Sequence, residues 1–175
     1  IGKIWKSSKE KGITINMLIP AILKKIEIEE GFGSVFYTDD MMYEVGGIID
    51  FIPDIQTNPD AGYFQYAVVN AEQSLIGYFS YTIDWYSSCA YNFCLISFEK
   101  GNPIVGRDVY AELQRLIDTY HLHRIEWRMV GGNPIEKHYD KFCRKYNGTK
   151  HVFRDVFKDK TGKYRDSIIY EILLD

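Results

Sequence analysis

The segment Tyr91–Asn133, YNFCLISFEKGNPIVGRDVYAELQRLIDTYHLHRIEWRMVGGN, sets the architecture of the chain. Tyr91 to Phe98 is rich in aromatic and aliphatic residues and reads as a strand. Tyr91, Phe93, Leu95 and Ser97 face one side, and Asn92, Cys94, Ile96 and Phe98 the other. Both faces are mostly apolar, which predicts a central strand covered on both sides. A glycine-bearing turn follows, and then a helix with Val109, Leu113, Leu116, Ile117 and Tyr120 on one stripe. Asp108, Glu112, Arg115 and Asp118 fall outside that stripe. Arg124 to Val130 is the next strand, with Ile125, Trp127 and Met129 alternating against Glu126 and Arg128. Strand, helix and strand of these lengths imply a parallel pair joined by a right-handed crossover. The turn that enters the helix can hold an anion through backbone N–H groups.

Upstream, Tyr63 to Asn70 and Leu75 to Asp84 are two more strands, joined through AEQS and WYSSCA into an antiparallel meander that ends in Tyr91–Phe98. Met17 to Glu30 carries apolar residues at roughly helical spacing, with Gly31 to end it, although Ile13 to Leu18 also suits a short strand. Gly33 to Ala61, broken by Gly46-Gly47, Pro53 and Asn58-Pro59, reads as loops and short elements. Downstream, Asn133 suits an N-cap and Pro134 the first turn of a helix reaching Tyr146. Two closing strands, Lys150 to Phe157 and Ser167 to Leu174, flank a turn at Thr161-Gly162. The sum is a single domain over residues 1–175: a mixed α/β sheet of six to seven strands with helices on its faces.

The chain of 175 residues is 46% hydrophobic and 26% charged, the balance of a folded protein. A formal net charge of −3 argues against nucleic acid as a partner. No apolar run reaches the ~20 residues that span a bilayer, so no membrane partner is expected. The opening IGKIWKSSKEKG lacks the apolar segment of a secretory signal. Cys89, Cys94 and Cys143 show neither disulfide nor zinc spacing, and His121, His123, His138 and His151 complete no metal set. A reducing cytoplasm and no metal are the expectations. A homodimer is left open.

The order of elements from Tyr63 onward resembles that of the GNAT superfamily of acetyl-CoA-dependent N-acetyltransferases. That family holds the CoA pyrophosphate in a turn patterned Gln/Arg-x-x-Gly-x-Gly/Ala. With Gly106 as the fourth position, Pro103 is first and Asp108 last, which sets a carboxylate against the pyrophosphate. With Gly106 as the last position, the turn is Gly101-Asn102-Pro103-Ile104-Val105-Gly106, and Val109, Tyr110 and Leu113 take the family's core positions. The second register fits the helical phase, at the cost of Gly101 and Ile104 where the family has Gln or Arg and Gly.

The resemblance implies transfer of an acetyl group from acetyl-CoA to a primary amine. It assigns cofactor contacts to the main chain of Leu95, Ile96, Ser97 and Phe98, to Ile104, Val105, Gly106, Arg107 and Asp108, to Asn133, which opens the following helix, and to Tyr139. Tyr139 corresponds to the tyrosine that protonates the departing thiolate, and Tyr146 is a second candidate. Glu99 and Glu126 are candidate bases, unless a water chain takes that role. Residues 1–62 form the acceptor side and 63–175 the cofactor-binding core. The departures at Gly101 and Ile104 leave a second reading open: a catalytically weak or inactive module of the same fold that binds CoA or a partner.

Overall fold

The computed structural model describes residues 18–36, 38, 41–44, 52–58 and 61–174. The expectations for Ile13 to Met17 and for the Gly46-Gly47 break fall outside them. One seven-stranded sheet runs in the order β1-β2-β3-β4-β5-β7-β6. Its strands are β1 (Leu18–Pro20), β2 (Tyr63–Val69), β3 (Leu75–Asp84), β4 (Cys89–Ser97), β5 (Arg124–Val130), β6 (Thr149–Lys158) and β7 (Tyr164–Leu173). Every neighbouring pair is antiparallel except β4 and β5, the two strands joined across a helix. The meander and the single parallel crossover are thus as the sequence predicts. Between Met17 and Glu30, the predicted single helix is instead β1, a 3-10 turn Ala21–Lys24 and α1 (Lys25–Gly33). Pro20, lacking an N–H, is tolerable at the end of an edge strand. No helix among the described residues is long and apolar enough to cross a membrane.

Helices cover both faces of the sheet. On one, Ile28 and Phe32 of α1 pack with Ala67, Val69, Tyr78, Cys94 and Ile96. On the other, α3 (Pro103–Thr119) and α4 (Glu136–Lys145) bring Val105, Val109, Leu113, Leu116, Phe142 and Cys143 against Phe79, Tyr81, Ile125, Trp127 and Tyr170. The strand most fully covered is β3, buried without interruption from Ile76 to Tyr81. β4 is the middle strand of the seven, as the sequence predicts, but its Phe93 and Leu95 are only half-buried.

Two charged residues of α3 depart from the apolar stripe. Asp108 and Glu112 are each 1% exposed, whereas Tyr110, expected in the core, is 43% exposed. Glu112 is satisfied in place: Tyr81 Oη donates to its Oε1 at 2.7 Å, and Arg115 grips both oxygens through Nε at 2.8 Å and Nη2 at 2.6 Å. Arg115 also donates to Tyr120 Oη at 3.0 Å and stacks over that ring at 5.1 Å. Counting apolar positions misses this arrangement, because a carboxylate that brings its own guanidinium can occupy a core position.

The β6–β7 turn is organised by Asp159, whose carboxylate accepts from the Thr161 and Lys163 amides, the Thr161 hydroxyl and Arg165 Nε. These bonds, the Thr161 hydroxyl foremost, hold its carboxyl at about 2. A depressed carboxyl orders the turn above the unfolded value of roughly 3.9 and loses that effect as pH falls through the folded value. The amide signals of Thr161 and Lys163 should therefore titrate together with a midpoint near 2. A midpoint at the ordinary aspartate value would contradict the bonding.

Candidate active site between the diverging strands

The parallel pair β4/β5 is joined over Cys89↔Arg124 and Ala90↔Ile125, at the start of both strands. Beyond those rungs the strands separate. The cause lies in β4, where the pairing with β3 shifts between Ser80 and Thr82 and Asn92 adopts φ +53°. Such a bulge bends and twists its strand, and Asn is among the residues that accept the left-handed conformation. β4 past Asn92 therefore leans away from β5 and leaves a wedge open at the C-terminal ends of both strands.

The Phe98 amide donates to Ile76 O of β3 at 3.0 Å, and Ile96 pairs opposite Tyr78. Antiparallel ladders alternate, so the main chain of Ile96 and Phe98 points to β3, while that of Phe93, Leu95 and Ser97 points into the wedge. This narrows the expected main-chain contacts. Leu95 and Ser97 remain available, and Ile96 and Phe98 are already committed.

Tyr139 lies on α4, facing β5 and β7. Its ring meets Trp127 and Tyr170 edge-on, each at 5.9 Å, and those two stack on each other at 5.1 Å. Both partners belong to the α3/α4 face. The Tyr139 phenol is thereby packed against β5 and β7. Burial, then the Cys94 thiol, push it up to about 12, so it carries its proton at any physiological pH. The Trp127 indole N–H is buried beside it without an acceptor among the described residues. Behind Tyr139, α4 is fixed to the sheet by Asp140, which accepts from Tyr170 Oη at 2.7 Å and Lys150 Nζ at 2.9 Å.

At the mouth of the wedge, α2 (Met41–Glu44) lies across both strand ends. Asn133, just past β5, donates from Nδ2 to Tyr43 O at 2.9 Å and accepts from the Ile135 amide at 3.1 Å. Asn133 therefore caps the turn at residues 134–135, and α4 proper starts at Glu136 rather than Pro134. Lys100, just past β4, sits 3.5 Å from Glu44 Oε1.

The expected pyrophosphate turn is mostly helix. Asn102 is the N-cap and Pro103 the first residue of α3, so Ile104, Val105, Gly106, Arg107 and Asp108 all lie within it. Asn102 Oδ1 accepts from the Ile104 amide at 3.0 Å, and Pro103 has no N–H. By helix geometry this leaves the Val105 amide as the one uncommitted donor of the first turn. Gly106 has open space where a Cβ would stand. Arg107, half-exposed, turns to Asp108 Oδ1 at 2.8 Å. The helix start thus leaves one backbone amide and a partly engaged arginine.

Glu99 accepts from Asn102 Nδ2 at 2.8 Å, at the helix start rather than under α2. Glu126 accepts from Arg124, which also pairs with Glu171 at 2.8 Å, near the closed end of the wedge. Tyr146 bonds to Gln114 and lies under Lys145, 4.9 Å from its ring centre, so its hydroxyl is occupied at the end of α4. Two residues near this region, Glu44 and Trp127, carry no functional signal in the sequence. Glu44 sits in a four-residue helix among broken apolar patches and gave no periodic signal. Trp127 alternates like any core residue. No group of three His, Cys, Asp or Glu residues suited to a metal occurs among the described residues.

No family model matches the sequence, and no curated protein matches it. Solved structures do. The spermidine/spermine N-acetyltransferase SpeG from Vibrio cholerae, in complex with manganese ions, superposes with a TM-score of 0.53 at 21% identity, over 66% of this chain and 67% of that one. This chain has the GNAT fold. A chimera of the Vibrio cholerae spermidine N-acetyltransferase SpeG and hSSAT gives 0.52 at 21% identity, over 66% and 71% of the two chains. The dodecameric structure of the Vibrio cholerae enzyme in an intermediate state gives 0.53 at 21% identity, over 66% and 67%. The GNAT resemblance drawn from the residues is borne out for the fold, on a sheet whose strand order and single parallel pair are described above.

Proposed function

We propose that the chain is an N-acetyltransferase that moves an acetyl group from acetyl-CoA to a primary amine, with residues 63–175 forming the cofactor side and the segment before them the acceptor side. The observation that carries this reading is the parting of β4 from β5 beyond Ala90, with Tyr139 of α4 packed on Trp127 of β5. Acetyl-CoA supplies the activated acetyl thioester. The uncommitted amides of Leu95 and Ser97 are oriented to polarise a carbonyl lying in the wedge. Val105, Gly106 and Arg107 line the path toward the start of α3. Tyr139 donates a hydrogen bond to the leaving sulfur. Full proton transfer from a phenol near 12 to a thiolate of ordinary affinity, about 8.5, is uphill, so stabilisation by the bond comes first and transfer second. Three unpaired cysteines suit a reducing setting such as the cytoplasm.

Acetyl-CoA at a hundred times its dissociation constant should stabilise the folded chain by about 2.7 kcal/mol. Thermal denaturation with and without the ligand reads this directly. No shift at millimolar acetyl-CoA would remove the assignment. One observation favours a second reading, a module of this fold with weak or no catalysis: Asn102, Pro103 and Glu99 close and acidify the helix start. A thermal shift without thiol release across a panel of amines would support it.

A further inference from the structure

Two consecutive residues of α2 join the two lips of the wedge. Tyr43 O receives Asn133 from the end of β5, and Glu44 Oε1 faces Lys100 from the end of β4. The clasp crosses the mouth on the α1 face, opposite the helix that carries Tyr139. Its two halves differ in kind. The Asn133 bond is a committed, part-buried hydrogen bond. The ion pair joins a Glu44 side chain that is 20% exposed to a lysine side chain that is 74% exposed, at 3.5 Å. A loosely held ammonium against a sheltered carboxylate is easily exchanged for another ammonium.

We propose that Glu44 is the acceptor-binding and proton-accepting residue, and that Lys100 occupies the position of the substrate's cationic amine until the substrate replaces it. The substrate class follows from that exchange: a primary alkyl ammonium, entering from the α1 face, small or extended enough to pass beside α2. Met41 of α2 packs with the α1 face and Tyr139 with the opposite face, so the helix that carries Glu44 and the phenol lie on either side of the sheet. Glu99 and Glu126, held by Asn102 and Arg124, do not share this position.

The ammonium loses two protons in all. Glu44 takes the first and passes it to solvent, which leaves a neutral amine. The nitrogen then forms the C–N bond to the acetyl carbon as the C–S bond breaks and its electron pair leaves on sulfur. The second proton, shed by nitrogen in that step, balances the one that Tyr139 gives to sulfur. The products are an amide, a free thiol and one released proton.

This inference rests on the proposed acetyl transfer, and the test separates the two. Wild type, Glu44→Gln and Lys100→Ala are compared for thermal shift with acetyl-CoA, for thiol release with spermidine, tyramine and cadaverine, and by calorimetry of the same amines without acetyl-CoA. Glu44→Gln should keep the acetyl-CoA shift while losing at least tenfold in kcat/KM for the amine and in calorimetric affinity. Lys100→Ala should change in the opposite sense, with amine KM lowered severalfold. Equal losses in both variants would mean that Glu44 serves only to hold Lys100, and would overturn the assignment. So would an unchanged Glu44→Gln. Acetyl-CoA binding without thiol release for any of the three amines would overturn both the transferase reading and the role of Glu44. No acetyl-CoA shift in wild type would overturn the cofactor assignment itself.

Discussion

Replacing Tyr139 by Phe is expected to lower kcat for acetyl transfer about a hundredfold, with the acetyl-CoA dissociation constant within about twofold of wild type. The magnitude is the lower end of what a positioned acid contributes. The low end is appropriate because a phenol near 12 is a reluctant donor, and water entering the wedge can replace part of its hydrogen bond. The ring contacts with Trp127 and Tyr170 survive in Phe, so the fold and the ligand's path are unaltered. Steady-state kinetics and calorimetry decide it. An unchanged kcat would remove Tyr139 from the chemistry, and a parallel loss of ligand affinity would recast it as a binding residue.

Replacing Arg115 by Met is expected to destabilise the protein by about 3 kcal/mol, because it strands the buried Glu112 carboxylate with Tyr81 as its remaining partner. The estimate sits at the low end of the range for broken buried pairs because the Arg115 side chain is 38% exposed and water can take part of its place. For a chain of this length that corresponds to a fall in Tm of roughly 6–12 °C. Replacing Glu112 by Gln in the same protein should recover a large part of the loss, since no charge is then left behind. Thermal or urea denaturation of the single and double variants tests both statements. If the double variant is worse than the single one, the pair is held for geometry rather than charge.

The sheet was legible in the sequence because its signals are local. The aromatic and β-branched runs of β2, β3 and β4, the stripe of Val109, Leu113 and Leu116, and the alternation of Ile125, Trp127 and Met129 each declare an element by its own period. The site was less legible because its parts are set by non-local geometry. That Leu95 and Ser97, rather than Ile96 and Phe98, present their main chain to the wedge follows from the register with β3, which no residue of β4 encodes alone. Glu112 looks like a surface charge until the third-neighbour Arg115 and the Tyr81 hydroxyl are placed around it. Glu44 has meaning only once Lys100 and Asn133, more than fifty residues away, arrive at the same mouth.

The bulge at Asn92 has one more consequence. Because β4 leaves β5 after Ala90, the main-chain ladder of the sheet narrows there to the two rungs Cys89–Arg124 and Ala90–Ile125, with β1 to β4 on one side and β5, β7 and β6 on the other. Backbone cooperativity across that seam is thin, and α3 with α4, lying over both halves, must supply most of the coupling. A guest that hydrogen-bonds to both exposed edges would serve as the missing rungs. Filling the gap would then knit two half-sheets into one cooperative unit, so that occupancy and global rigidity rise together.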